Sequence, residues 1–355
     1  MDTAYKEKVT KILTAAAAAP SGDNSQPWRF VVQDSSIEFY ALPEKDNPIL
    51  NYKEGGTLIA LGAALQNAEL EARAQGYVPH TVLHEDGSCV AVMELKVGGR
   101  LDKTDEFLQK SIFKRHTNRK PYKKVPLSKE TRTAILDSFL SERTELDFSL
   151  IESRDSMSEV AKALTVMEEV ALGNHTLHKL FFENIFWSEK ENRSGKQGLY
   201  IKTLELPPPA QILFRLLKHW SFAKLFTKIG FSQIVAKTNA QQNAAASALG
   251  VITAPHTDRV TYLEIGKALE RIWLLATARG LSMQIVTGIT FLVRSMENNS
   301  AIFSESEKER VRAAYMIIKN HVNQDHEPVL VFRIGVGNEP TAVTYRHRTP
   351  DIVFV

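Results

Sequence analysis

The sequence predicts an α+β protein built from two tandem half-units, and three observations predict it. The first is an internal repeat. Set Gly62 to Gly76 against Gly266 to Gly280, a shift of 204 with no gap, and seven of fifteen positions are identical: Gly62/Gly266, Ala64/Ala268, Leu65/Leu269, Leu70/Leu274, Ala72/Ala276, Ala74/Ala278 and Gly76/Gly280. Alanine and leucine recur on helices anyway, so the two glycines and the gapless register carry the weight. The second is an order of elements that recurs: residues 5–33 and 128–151 each read as helix, short polar loop, strand. The third is a mixture of helical and alternating apolar periods along the whole chain.

Taken in order, residues 5–18 read as an alanine-rich helix that stops at Pro20. Residues 29–33 and 37–41 read as strands around a turn at Asp34-Ser35. A helix follows at 56–75, whose small-residue face (Gly62, Ala64, Leu65, Ala68, Leu70, Ala72) lets a second helix or a flat ligand approach closely. Cys89 to Val97 reads as a strand. Ser128 is placed to N-cap a helix ahead of a strand at 146–151. The second small-faced helix spans 262–279, and Pro328 to Val336 has the apolar run of a buried strand. Residues 188–243 have no counterpart in the first half. They hold a Pro207-Pro208-Pro209 break and an apolar–basic stretch, Ala210 to Lys237, with Leu213, Leu216, Leu217, Trp220, Phe222, Leu225, Phe226 and Ile229 at helical spacing. A membrane-surface helix, a lid over a site and a plain cover for the core are the readings of that stretch, of which a lid or cover suits an insertion in a duplicated plan.

Bulk properties narrow the classes. At 355 residues the chain holds one large or two medium units, with 43% hydrophobic and 24% charged residues, as in a globular protein with a sizeable core. A net charge of 44 − 41 = +3 does not call for a nucleic-acid partner. The single Cys89 forbids an intrachain disulfide and cysteine-cluster metal sites, and suits a reducing compartment. Lys6, Glu7, Lys8 and Lys11 interrupt any signal-peptide core, and no apolar uncharged run of about 18 residues offers a membrane span, so a cytoplasmic protein with no membrane partner is expected.

Four short segments carry the chemistry. In Pro20-Ser-Gly-Asp-Asn-Ser-Gln-Pro-Trp28, the groups of Ser21, Asn24 and Gln26 sit on a bend set by Pro20, Gly22 and Pro27. Such a bend can offer backbone N–H groups and amides to one flat polar ring, although Ser and Asn also serve as ordinary turn residues. The segment closely resembles the P-S-x-x-N-x-Q-P-W signature of the nitroreductase flavoprotein family. In Arg115-His-Thr-Asn-Arg119-Lys-Pro-Tyr122, alternate residues Arg115, Thr117 and Arg119 would present two guanidinium forks and a hydroxyl to a phosphate. On charge alone this is a solvated basic stretch. It resembles the family's R-x-[ST]-x-R-x-[FY] grip on FMN, with the aromatic one place late. Thr287-Gly288 falls where the family places a backbone N–H facing flavin N5, with threonine in the position of an acidic residue. Arg346-His-Arg348-Thr-Pro350 resembles the family's late basic pair, which reaches back to the same phosphate. His175 and His178, three apart, show no third metal ligand nearby, and Gly335-Val-Gly337 lacks the rest of a dinucleotide fingerprint.

The resemblance implies a nitroreductase-like fold of mixed and antiparallel sheets flanked by helices, divided here into a first half at 1–110 and a second at 111–355 that carries the 188–243 insertion. It implies FMN as cofactor, held by Pro20, Ser21, Gly22, Asn24 and Gln26 from one half and by Arg115, Thr117, Arg119, Thr287, Gly288, Arg346 and Arg348 from the other. The repeat's own loop, Ser141 to Asp147, has lost the cradling residues. One FMN per chain is therefore expected across an internal pseudo-twofold, in a monomeric pseudo-dimer or a homodimer of such chains. The family's reaction, electrons from NAD(P)H through the flavin to a nitro-aromatic, quinone or related acceptor, needs no indispensable side-chain acid or base. The other expectation is an FMN-holding protein whose lid closes the site and limits turnover.

Overall fold

A computed structural model describes residues 2–140, 145–194, 197–346 and 351–355. The first half runs α1 (Thr3–Ala16), β1 (Trp28–Val32), β2 (Ser36–Ala41), α2 (Gly55–Ala74), β3 (Tyr77–Leu83), β4 (Cys89–Val97) and α3 (Lys103–Gln109). The second begins with α4 (Lys129–Leu140), whose first turn Ser128 caps through a 3.1 Å bond from the Thr131 N–H, and β5 (Asp147–Ile151). A helical block follows: α5 (Arg154–Leu164), α6 (Val166–Gly173), α7 (His175–Glu183), β6 (Ile185–Phe186), α8 (Glu189–Asn192), β7 (Leu199–Tyr200), α9 (Pro208–Leu217), α10 (Trp220–Lys228) and α11 (Phe231–Ala244). The chain then returns through β8 (Ala248–Ala254), α12 (Arg259–Ala278), β9 (Ser282–Ile285), α13 (Gly288–Asn298), α14 (Glu305–Lys319), β10 (Glu327–Gly335) and β11 (Ile352–Phe354).

The two main sheets repeat one plan. The first is ordered β1-β2-β4-β3 and the second β5-β8-β10-β9, every pair antiparallel, and α2 and α12 occupy the same place in each run of elements. β11 departs from the plan: it crosses to the first sheet and pairs parallel with β1, Val31 opposite Val353. The expected elements lie within three residues of their predicted ends. β3 was not expected, because Pro79, His80 and Thr81 interrupt its apolar run; pairing with β4 makes it a strand.

The repeat helices meet each other. α2 and α12 cross at their equivalent glycines, where a Cβ on Gly62 would stand 1.9 Å from the Leu263 carbonyl oxygen and one on Gly266 would stand 2.1 Å from that of Ile59. Nothing larger than glycine fits at this separation. The close crossing is why α2 is buried along nearly its whole length, and one continuous core joins α1, α2, α12 and both sheets.

Entry to α2 is fixed by a polar knot. Asp46 accepts from the Asn47 N–H (2.8 Å) and the Thr57 hydroxyl (3.2 Å), while Asn51 accepts from the Thr57 N–H (3.1 Å). Burial pushes the Asp46 carboxyl up to about 6 from its usual 3.8, against those two donors, and Asp23 adds to the rise.

Two outcomes follow from the crossing and the knot. Gly62→Ala should lower stability by more than about 3 kcal/mol, since backbone must move to admit the methyl. Gly173→Ala, whose nearest neighbour would be 3.9 Å away, should leave thermal melting nearly unchanged, and equal melting of the two variants would contradict the crossing. Asp46 holds its proton longer folded than unfolded, so folding takes up a proton between about pH 4 and 6 and stability falls as pH rises across that window. The loss should be at most about 3 kcal/mol, and Asp46→Asn should flatten that part of a pH series of denaturant melts.

Candidate functional site

The Pro20–Trp28 bend is held in an uncommon backbone conformation. Asp23, Asn24 and Gln26 all take positive φ, at 47°, 56° and 51°. Asparagine and aspartate tolerate that region, whereas glutamine there costs on the order of 1 kcal/mol and is retained only where its surroundings impose it. Here the Gln26 N–H donates to Ser21 Oγ (3.0 Å), the Ser25 N–H to the Gly22 carbonyl (2.8 Å), and Trp28 is buried in the core beneath. Asn24 Nδ2 donates to the Tyr345 carbonyl (2.9 Å), across 321 residues of chain. Ser21 and Asn24, expected at a flavin ring, thus also shape the loop; the Ser21 O–H and the Asn24 side-chain carbonyl remain as polar groups for a ligand.

The second-half residues come to this loop from its other side. Arg115 is buried, donates from Nη2 to the Ala18 carbonyl (2.9 Å), places Nε 3.2 Å from Glu270 Oε1 of α12 and stacks over Trp273 at 4.5 Å. Arg346 donates from Nη2 to the neighbouring Ala19 carbonyl (3.2 Å), while its Nε is buried without a hydrogen-bond partner among the described residues. Burial, then the nearby Arg115, push the Arg346 guanidinium down to about 9, with Glu270 opposing. Two guanidiniums therefore share one carboxylate. Burial pushes the Glu270 carboxyl up, and Arg115, Asn67 and Arg346 draw it back down. Arg119 donates to the Thr203 carbonyl (3.4 Å), and its main opposite charge is Asp23 of the loop, whose carboxyl desolvation pushes up while Arg119 and Asn184 pull it down.

Other expected residues have different surroundings. Thr117 bridges to Met283 at the edge of β9, and Asn118 ties the same segment to Ser282 Oγ (2.9 Å) and the Asn338 carbonyl (2.7 Å). The Thr287 hydroxyl donates to the Val331 carbonyl (2.9 Å) and accepts from the Val331 N–H (3.0 Å), so its side chain ties the segment after β9 to β10. The Thr287 side chain makes no capping hydrogen bond to the first turn of α13, which begins at Gly288. Met167 of α6 packs on Gly288, where a Cβ would meet it at 2.6 Å. Arg348 and the repeat-loop residues Ser141 to Thr144 lie outside the described residues.

The site is stacked in three layers. Over the loop lies the arm 341–346, and residues 184–194 and 197–205 lie against the arm. Asn192 donates to the Val343 carbonyl (3.2 Å) and accepts from the Tyr345 N–H (3.1 Å), and Glu205 accepts from the Thr341 N–H (2.6 Å). Only this early part of the 188–243 stretch covers the arginines; α9, α10 and α11 pack against each other and on α5, α6 and α7. A cleft of about 1010 Å³ beside α7, lined by His175, Phe182, Trp187, Lys218 and Trp220, contains none of the expected residues. His178 is a packing residue, bonded to the Leu217 carbonyl (2.7 Å) and set against Phe182 and Trp220.

Glu270, Asn67 and Asp23 were not anticipated. A signal existed for Glu270: it is a lone carboxylate amid the small and apolar residues of the repeat helix, and the repeat register sets it opposite Gln66. That exchange of charge for a neutral amide distinguishes the two halves at one buried position.

Residues 5–48 match the family model described as "Nitroreductase family". Across 96% of its length the chain is 22% identical to "Uncharacterized protein MT1398" of Mycobacterium tuberculosis, and it spans about half (48%) of that protein. It is 26% identical over 289 residues to "Putative NAD(P)H nitroreductase Rv3131" of the same species, covering 79% of this chain and 76% of that one. Among solved structures it is similar to the FMN-dependent nitroreductase NfnB from Mycobacterium smegmatis in complex with NADPH, at 14% identity and a TM-score of 0.37 over 66% of this chain and 88% of that one. The loop-bearing segment 5–48 thus matches the nitroreductase family, and the chain is similar to these relatives over most of its length.

Proposed function

We propose that this chain is an FMN-dependent oxidoreductase that takes electrons from NAD(P)H, with one FMN held where the first-half loop meets the second-half arginines. The observation that carries the reading is the charge balance beneath the loop: Arg115 and Arg346 share the carboxylate of Glu270, and Arg346 Nε is buried with no acceptor among the described residues. An added anion beside them would satisfy that N–H and restore neutrality, so the residues present fit a phosphate-bearing cofactor. Arg346 and Arg119 would hold the phosphate, the Ser21 O–H and Asn24 carbonyl would face the ring, and the opening N–H groups of α13 at Gly288 would supply positive potential beside it. In this reading Arg115 neutralises Glu270 and fixes the Ala18 carbonyl at the base of the loop, beside the phosphate. When bound, FMN supplies the hydride and electron chemistry, while the protein supplies orientation, charge and exclusion of water.

The division into halves at 1–110 and 111–355 belongs to the same proposal. The repeated strand order and the glycine crossing support it, and the Gln66/Glu270 exchange supports one site per chain. The second reading, an FMN-holding protein with little turnover, is favoured by the layer of residues 184–194 and 197–205 that lies against the arm. Nitro-aromatic and quinone acceptors are the proposed substrates of the first reading.

The purified chain should carry or take up one FMN, counted by its visible absorbance against protein concentration; two per chain would contradict the half-site arrangement. Arg346→Ala should weaken FMN binding about tenfold or more, as for loss of a charge-assisted bond. Arg115→Ala is the poorer probe, because it strands Glu270 and should cost about 3–5 kcal/mol of stability. Anaerobic mixing of the flavin-loaded chain with NADH or NADPH should bleach the flavin band within seconds. Colour that persists with both donors would instead select the holding function.

A further inference from the structure

α10 has two apolar faces. Ala223 and Phe226 point into a small aromatic cluster with Phe182 and Leu217. Phe222, Leu225 and Ile229, three and four residues apart, point the other way and are 46%, 56% and 69% exposed. A helix that is apolar on both sides normally has something against each of them. α9, packed beside it, exposes Ile212 (68%) and Leu216 (45%). Between Glu205 and Asp258 the chain has no acidic residue at all, while Arg215, Lys218, Lys224, Lys228 and Lys237 all fall there. Among the described residues, none of these five comes within ion-pair distance of a carboxylate. The exposed large apolar residues thus share α9 and α10 with Arg215, Lys224 and Lys228, while Lys218 directly follows α9 and Lys237 lies on α11.

We infer that the outward side of α9 and α10 rests on an anionic membrane surface. Charge complementarity selects this occupant. A bilayer with anionic headgroups offers negative charge to Arg215, Lys224 and Lys228 and, just beneath, an apolar layer for Phe222, Leu225 and Ile229. A second copy of the chain would bring the same cations against their own likeness, with no acid on these helices to receive them. No helix among the described residues is long and apolar enough to cross a membrane, and nine residues of α10 rise only about 14 Å. The helices therefore lie along the surface. The inward sides of the block pack on α5, α6 and α7 and, through Phe214, on Tyr200, Ile201 and Leu204, so the outward side of α9 and α10 faces away from those contacts. The inference is independent of the proposed redox function.

Sedimentation of the full chain with vesicles tests it. The chain should pellet with vesicles of equal parts phosphatidylglycerol and phosphatidylcholine, remain in solution with phosphatidylcholine alone, and be released by raised salt. Leu225→Glu with Ile229→Glu, both at exposed positions and with unchanged circular dichroism, should weaken pelleting about tenfold or more. Lys224→Gln with Lys228→Gln should weaken it about fivefold for each charge removed. A chain that ignores anionic vesicles, or variants that pellet as the parent does, would overturn the assignment. So would a concentration-dependent dimer that the glutamate variant dissociates, which would place a second copy on this face, or retention on a polyglutamate resin without vesicle binding, which would place an acidic protein there.

Discussion

The rest of the structure depends on two helices touching backbone to backbone. At the Gly62–Gly266 crossing neither chain can carry a Cβ, and the consequence spreads in both directions along the helices. Residues one turn further on, Gln66 and Asn67 from α2 and Glu270 from α12, are drawn into an interior that would otherwise hold only alanine and leucine. A carboxylate there must be answered by a cation. Arg115 provides it, and in doing so anchors the Ala18 carbonyl at the foot of the strained loop. Packing, charge and loop geometry are in this sense one constraint.

Near-symmetry makes the departures from symmetry informative. The two sheets share an order of strands, the two long helices share a glycine, and the equivalent positions Gln66 and Glu270 then differ by one charge. Arg115 and Arg346 both lie at the charged side, while the neutral amide of Gln66 would leave a buried guanidinium on its side without an anion. β11 adds to the asymmetry by leaving its own half and joining β1, which carries the arm 341–346 across the loop on the way.

The positive-φ residues at 23, 24 and 26 are the local cost of this arrangement, and the contacts that hold them come from far along the chain. Tyr345 binds Asn24, Arg119 faces Asp23, and Asn184 bonds the same carboxylate. Strain maintained by three separate segments marks a place where the backbone is shaped for something other than its own stability. The helical block beyond it is organised differently: its aromatic residues form a separate cluster, and its charge is all of one sign from Leu206 to Thr257.

The sequence by itself determined the elements that rest on local preference and periodicity. The breaker at Pro20, the cap at Ser128, the small-residue faces of both long helices and the apolar run of β10 were all legible because their signals lie within a few neighbouring residues. The resemblance of residues 20–28 to a known signature was legible for the same reason. Only the tertiary structure decided what those residues touch. Alternation at 115, 117 and 119 suggested one surface facing a phosphate, yet Arg115 turns inward to Glu270, Thr117 joins the edge of β9 and Arg119 meets Asp23. Thr287, in the place of an acidic residue, proved to tie the segment after β9 to β10. Such partners come from segments distant in the chain, as with Arg115 and Glu270, brought together by two glycines that permit the close approach of helices. Sequence spacing records which side of an element a residue occupies, and burial and long-range pairing settle what stands opposite it.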